Sequence, residues 1–237
     1  MQISDVTLDT ADGSMRLYSC APDDAANQAV IVVQEAFGVN AHIEDVTRRF
    51  AEVGYHAVAP ALFHRAGGGT APYDAFDQVL PLFAGVDDAT LLMDVQATLD
   101  HLHASGFVDG AIGIVGFCMG GRVTFLVALE RALGAAVGFY GGGIVSGRFP
   151  QFPTLIERAD QLETPWLGLF GDLDGSIPVE EVETLRACLA EVHVPTEVVR
   201  YPAAEHGFHC DVRPSFNAEA AADAWARTLA WFDEHLA

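Results

Sequence analysis

The sequence contains no lysine: all 12 basic residues are arginine, set against 33 aspartates and glutamates, for a formal net charge of −21 over 237 residues. Binders of nucleic acid draw their affinity from cations that neutralise phosphates, so this balance excludes that class of partner. The field of so acidic a surface repels polyanions over roughly a Debye length, about 8 Å at physiological salt, and leaves neutral or singly charged small molecules as candidates. Lysine-free acidic chains suit a high-salt interior and also arise from genomic base composition. Cysteine is sparse as well. Cys20, Cys118, Cys188 and Cys210 form no CxxC pair and lack the dense spacing that staples small secreted domains. Long apolar runs are missing, because polar or charged residues interrupt every candidate membrane span. The opening Met1-Gln2-Ile3-Ser4-Asp5 has neither the cationic start nor the apolar run of a signal peptide. The expectation is a soluble, cytoplasmic protein with reduced thiols and no membrane or nucleic-acid partner.

What is present is a large apolar fraction, 51%, with 10% aromatics, enough for a packed core despite the charge. At this length one α/β domain covering residues 1–237 is expected. Val6 to Ala21 alternates around Asp12-Gly13, the signature of a tight antiparallel hairpin, and residues 1–28 read as an N-terminal β-hairpin. From residue 30 the pattern becomes that of the core of the domain. The runs 29–33, 56–60, 111–115, 135–139, 165–170 and 196–201 lack polar alternation, as strands covered on both faces do. Helical periodicity separates them at 43–53, 87–104, 121–133, 179–192 and 218–234. This alternation predicts an α/β fold, a mostly parallel central sheet with helices on both faces. The stretch from Gly67 to Pro72 reads as a flexible loop or lid rather than a domain boundary.

The chemistry concentrates in Gly116-Phe117-Cys118-Met119-Gly120-Gly121, where an apolar strand runs through Gly-x-Cys-x-Gly into a helical stretch. That is the context of a nucleophile elbow. A cysteine at a helix N-terminus has its thiolate favoured by the unpaired amides. A small buried cysteine in a turn is the plain alternative, and partners must decide between them. A Rossmann fingerprint fits less well, since the third glycine is absent and Cys118 and Met119 crowd the phosphate position. A base and an orienting acid should follow in chain order, after later strands. Asp172 and Asp174 follow the run 165–170, though turn aspartates capping a helix would look the same. His206, flanked by Gly207, follows the run 196–201 and is the candidate base. His206, His209, Cys210 and Asp211 are also possible metal ligands, but no second half of a zinc site exists and His101 and His103 face different ways, so no metal and no cofactor are expected.

These motifs resemble the dienelactone hydrolase family, carboxymethylenebutenolidase-like and cysteine-dependent members of the α/β-hydrolase fold. The resemblance runs from about Val30 to Phe232 and rests on Gln34-Glu35-Ala36-Phe37-Gly38-Val39-Asn40, the cysteine elbow, Asp174-Gly175-Ser176-Ile177-Pro178 and His206-Gly207-Phe208. It implies Cys118 as nucleophile, His206 as base and Asp174 as its orienting carboxylate, with Asp172 a neighbour. It also implies an oxyanion hole from the amides of Ala36 and Met119, and a gating role for Glu35, which in the family contacts the resting thiol and an arginine. Two arginines that hold the substrate carboxylate in the family have no clear counterpart: Cys210 occupies one position, and the region from Arg65 to Phe83 offers Arg65 alone. Arg65, Arg122 and Arg213 are candidates for the substitute, Arg122 or Arg213 for the partner of Glu35, and Tyr140 and Phe37 for further substrate contacts. The implied function is hydrolysis of a lactone or small carboxylic ester through an acyl-cysteine intermediate, by a monomer or dimer. A thioesterase or broad carboxylesterase is the alternative within enzymes, and a noncatalytic binding protein the alternative outside them.

Overall fold

The computed structural model describes residues 1–147 and 149–237. Strands β1 (Gln2–Thr10) and β2 (Gly13–Ala21) pair antiparallel from Gln2↔Ala21 to Thr10↔Gly13. That register puts Ala11 and Asp12 at the centre of the turn, one residue earlier than the Asp12-Gly13 dipeptide suggests, and Gly13 leaves it with φ +131°. Strand and helix then alternate: β3 (Ala29–Val33), α1 (Ala41–Glu52), β4 (His56–Pro60), α2 (Val79–Leu82), α3 (Asp88–Ala104), β5 (Ile112–Phe117), α4 (Met119–Glu130), β6 (Ala135–Phe139), β7 (Trp166–Gly171), α5 (Val179–Leu189), β8 (Thr196–Tyr201) and α6 (Ala218–His235). The expected strands and long helices lie within two or three residues of these bounds. The short α2 has no counterpart in the expectation, because its four residues span barely one turn and show a period only together with the turn before them.

Side chains cap the starts of three helices. Asn40 accepts from the Ile43 amide at the start of α1, Asn217 from the Ala220 amide at α6, and Asp87 and Thr90 form a capping box on α3.

The strands form one eight-stranded sheet in the order β1-β2-β4-β3-β5-β6-β7-β8. The pairs β1/β2 and β2/β4 are antiparallel and all the others parallel. β3, β5, β6 and β7 are buried throughout. β8 departs from the expectation of full cover: as an edge strand it is half-exposed and carries Glu197 and Arg200, charges that discourage pairing with another chain.

Register also assigns the helices to faces. A Cβ on Gly113 would sit 3.1 Å from the Phe232 ring of α6, whereas one on Gly116 would sit 2.1 Å from the Gly120 carbonyl of α4. These glycines are three residues apart on a strand whose side chains alternate, so α6 and α4 lie on opposite faces. α1 joins α6, with Phe50 at 4.6 Å from Trp225 and 5.9 Å from Phe232, while α3 packs beside α4.

Because the central strands run parallel, β3, β5, β6, β7 and β8 end at one edge, as the pairs Val33↔Gly116, Phe117↔Phe139 and Gly171↔Tyr201 record. The loops that follow them therefore meet, which is where open α/β sheets place their ligands. The loop after β8 is anchored by Phe208, His209 and Cys210, all buried. The His209 ring lies 5.2 Å from Phe117, 5.0 Å from Phe139 and 5.9 Å from His42.

Burial, reinforced by the charges of His42 and Arg49, pushes His209 down to about 3. Burial also lowers His42, although Glu35, Asp211 and Asp45 act the other way. Both are neutral in the folded chain and gain protons on unfolding near their ordinary value of about 6.5. The unfolded chain thus binds more protons below that pH, so the contribution of these two histidines to stability is full above about pH 6.5 and is lost as pH drops, toward 3 for His209, by about 1.4 kcal/mol per pH unit for each proton. Calorimetric Tm measured from about pH 8 to pH 5 should fall below pH 6.5, and His209→Asn should make that decline shallower.

Candidate active site

Cys118 occupies the single residue between β5 and α4, with φ 55° and ψ −114°. A positive φ is costly for a residue with a side chain and persists only where the surroundings enforce it. Here they do: a Cβ on Gly120 would meet the Val33 carbonyl at 2.5 Å, and one on Gly121 the Phe139 carbonyl at 2.5 Å. The Cys118 amide donates to Phe139 O at 3.0 Å, which locks the turn to β6. Unlike Cys20 and Cys210, the residue is only partly buried, at the first turn of a 12-residue helix.

The loops after β7 and β8 bring an acid and a base together. His206 Nδ1 lies 2.6 Å from Asp174 Oδ2. Asp174 Oδ1 accepts from the Ser176 amide at 2.8 Å and its hydroxyl at 2.6 Å, so the carboxylate is fixed from both sides. Burial would raise Asp174, but the bonds from His206 and Ser176 win and hold it below the usual carboxylate range. Burial would likewise lower His206, yet the charge of Cys118 and the Asp174 bond outweigh it and push the imidazole up to about 10. Asp172 faces away, held by Arg200 at 2.7 Å through both Nε and Nη2.

Glu35 is fully buried at the end of β3 and accepts from Tyr73 Oη at 2.8 Å and from Arg213 Nη1 at 3.3 Å. Its bonds run to these partners rather than to the Cys118 thiol. Tyr73 in turn accepts from Asn40 Nδ2 at 3.1 Å and from Cys210 Sγ at 3.4 Å. The Arg213 guanidinium lies over the rings of Tyr73, at 5.2 Å, and Phe37, at 5.9 Å. It reaches Glu35 past Gly207, whose φ is +78° and where a Cβ would come within 2.4 Å of Arg213 Nη1. Tyr140 is fully buried with φ 38°, its ring 5.0 Å from His206 and its hydroxyl without a protein partner among the described residues. Burial, then the charges of Glu35, Cys210 and Cys118, raise its ionisation far above the ordinary tyrosine value.

A cavity of about 480 Å³ opens at this edge, and Cys118, Met119, Ala36, Ser176 and His206 line it. The amides of Ala36 and Met119 bond to no other described backbone or side-chain group. Arg122 borders the cavity but is buried and committed: it holds Asp88 at 2.6 and 3.0 Å and the carbonyls of Gly143 and Pro153 at 3.2 and 2.6 Å. Arg65, a candidate substrate contact, lies off the cavity, where Asp94 takes it in a bidentate pair at 2.7 and 3.0 Å and Asp12 at 2.9 Å. Phe37 and Tyr140 are buried and do not line the cavity either.

The sequence reading missed Tyr73, Ser176 and the apolar wall formed by Phe76, Val79, Leu80, Phe83, Phe149 and Phe152. A signal was there for the wall: residues 76, 79, 80 and 83 follow the i, i+3, i+4, i+7 spacing of one helical face. The four residues weighed as metal ligands point to separate partners, His206 to Asp174, Cys210 to Tyr73 and Asp211 to Arg49, with His209 in the aromatic core. No helix among the described residues is long and apolar enough to cross a membrane.

The model of the dienelactone hydrolase family matches residues 15–236. A Yersinia pestis protein named "Putative carboxymethylenebutenolidase" is 38% identical over 236 residues, 98% of this chain and 88% of its own length. The carboxymethylenebutenolidase of Rhodococcus opacus is 30% identical over 220 residues, 90% of this chain and 84% of its own. Among solved structures, a "Putative Dienelactone Hydrolase" from Klebsiella pneumoniae superimposes with a TM-score of 0.88 at 36% identity, covering 98% of both chains.

Glu35, Cys210 and Cys118 each act electrostatically on the Tyr140 hydroxyl, so the carboxylate and the thiol share one neighbourhood. A carboxylate near a thiol disfavours the thiolate. Glu35→Gln should raise the iodoacetamide alkylation rate of Cys118 about threefold or more at neutral pH. Peptide mass spectrometry measures this with the exposed Cys188 as internal reference, and superimposable rates would separate Glu35 from the thiol.

Proposed function

The chain belongs to the dienelactone hydrolase family and has its α/β-hydrolase-type fold, and on that premise we propose that it hydrolyses a lactone or small carboxylic ester through an acyl-cysteine intermediate on Cys118. The observation that carries this reading is the His206–Asp174 pair at 2.6 Å beside a cysteine held at φ 55°, with cysteine and histidine on one cavity wall.

His206, its Nδ1 held by Asp174, takes the Cys118 proton at Nε2, and the resulting imidazolium is stabilised by the buried carboxylate. The thiolate attacks the ester carbonyl, and the oxyanion so formed accepts from the free amides of Ala36 and Met119. Collapse breaks the carbon–oxygen bond, and His206 returns its proton to the departing alkoxide. A lactone keeps that hydroxyl tethered to the acyl group. Water then attacks the thioester with His206 as base, releasing the carboxylic acid and the thiol.

A thioesterase or broad carboxylesterase would use the same steps with another leaving group. A binding protein without catalysis would have no use for a strained cysteine beside a fixed histidine, since such strain costs on the order of 1–3 kcal/mol.

Cys118→Ala should remove turnover of aryl esters while leaving Tm within about 3 °C, because the substitution loses one partly exposed sulfur. Incubation of the wild type with a slowly deacylated ester should add the acyl mass to the Cys118 peptide. Turnover by the alanine variant at the wild-type rate would sink the reading. Asp174→Asn should lower kcat by on the order of 10³-fold or more, since the wrong histidine tautomer is then held. Asp172→Asn, which only loosens Arg200, should change kcat by less than about threefold. Equal modest losses from both would mean that the loop is a structural turn.

A further inference from the structure

The cavity beside Cys118 is walled by Phe76, Val79, Leu80, Phe83, Phe149 and Phe152. Three of these stand out in solvent, Phe76 at 59%, Leu80 at 58% and Phe149 at 44% exposure, on a chain of net charge −21. An exposed cluster of large apolar groups at the mouth of a concave site marks a place where an apolar ligand lands.

Equally telling is what the cavity does not offer. No aspartate or glutamate lines it, and the cations among its described lining residues are Arg122 and His206, the latter already paired with Asp174 at 2.6 Å. Of the five N–H donors of a guanidinium, four of those on Arg122 are used, two on Asp88 and one each on the Gly143 and Pro153 carbonyls. Its charge is matched by Asp88, and Phe152 covers its face at 5.3 Å. Arg213 is engaged by Glu35, and Arg65 by Asp94 and Asp12. A carboxylate entering this space would shed water without gaining an unpaired cation among the described residues, which is strongly unfavourable. An alkyl chain or aromatic ring would shed water against six apolar side chains, which is favourable in proportion to area.

We propose that the site selects esters whose bound group is uncharged and apolar, an alkyl chain or aromatic ring, and rejects those bearing a carboxylate. The selectivity rests on the ester-hydrolase reading for its chemistry but on the wall and the paired arginines for its direction. It is local rather than a by-product of the acidic surface, so it persists when salt has screened the surface field to about 3 Å at 1 M.

The test compares p-nitrophenyl pentanoate with mono-p-nitrophenyl succinate, acyl groups of similar size that differ in charge, in 1 M NaCl. We expect kcat/KM for the pentanoate to exceed that for the succinate by about 30-fold or more, and to rise about two- to fourfold per methylene from acetate to hexanoate. Equal rates, a preference for the succinate, or a flat chain series would overturn the proposal. Leu80→Arg, at an exposed wall position, should narrow the gap about tenfold, while Leu80→Gln, which removes apolar area without adding charge, should narrow it by less than about threefold. A gap indifferent to the new arginine would also count against the wall. Binding read without turnover separates the two layers of argument. Calorimetric titration of the Cys118→Ala variant should show N-phenylpentanamide binding more tightly than succinanilic acid, the same pair as unreactive amides. If that preference holds while the alanine variant still cleaves aryl esters, the nucleophile assignment fails and the selectivity stands. If the preference is absent while Cys118 is acylated, the selectivity fails and the chemistry stands.

Discussion

At the C-terminal end of β5 the backbones of three elements approach so closely that no side chain fits between them. A Cβ on Gly116 would lie 2.1 Å from the Gly120 carbonyl, and one on Gly121 would lie 2.8 Å from the Gly141 Cα. This contact forces the strand-to-helix turn to close within one residue and drives Cys118 to φ 55°. It also ties the start of α4 to the ends of β3 and β6 at the same time. The remainder of the site is arranged around that fixed point. Parallel pairing delivers the loops after β7 and β8 to the same edge, and the buried Phe208, His209 and Cys210 keep the His206 loop from drifting. The strain at the cysteine is thus met by packing spread over several elements.

The second organising feature is the use of charge. With 33 acidic residues and 12 arginines, an arginine near a carboxylate is soon engaged. Arg122 joins Asp88 at the start of α3 to the segments after β6, Arg65 joins the β1–β2 turn to the buried Asp94 of α3, and Arg213 joins the loop after β8 to Glu35 at the end of β3. The planar fork of arginine suits such joints, since it satisfies two carboxylate oxygens at once where lysine offers a point charge. Cations recruited to hold loops together are withdrawn from ligand binding, so acidity at the level of composition and apolarity at the level of the cavity have one cause.

Much of the fold is legible along the chain because it is set by local rules. Buried parallel strands read as unbroken apolar runs, and five of the six expected runs are covered as anticipated; β8 is not, because its place at the sheet edge depends on the strand order and on no residue of its own. The short α2 escaped notice because its four residues span barely one turn and their helical spacing begins in the turn before it. Cys118, Asp174 and His206 are recognisable one by one, since each sits in a turn motif with its own glycine or proline signature, and the folded chain brings them to one edge.

The sequence by itself determined the alternation of strand and helix, the tight turn at Cys118 and the order of the three loops that meet beside it, because these follow from backbone sterics and burial over a few neighbouring residues. Tertiary structure alone decided the arginines. Glu35 and Arg213 are 178 positions apart and Arg122 and Asp88 are 34 apart. No local pattern states that Arg213 reaches Glu35 while Arg122 and Arg65 are spent elsewhere. Ion pairing depends on which charged groups arrive within a few ångströms after the sheet has formed. That distance is a property of the whole chain path, and with it came the choice between a charged cavity and an apolar one.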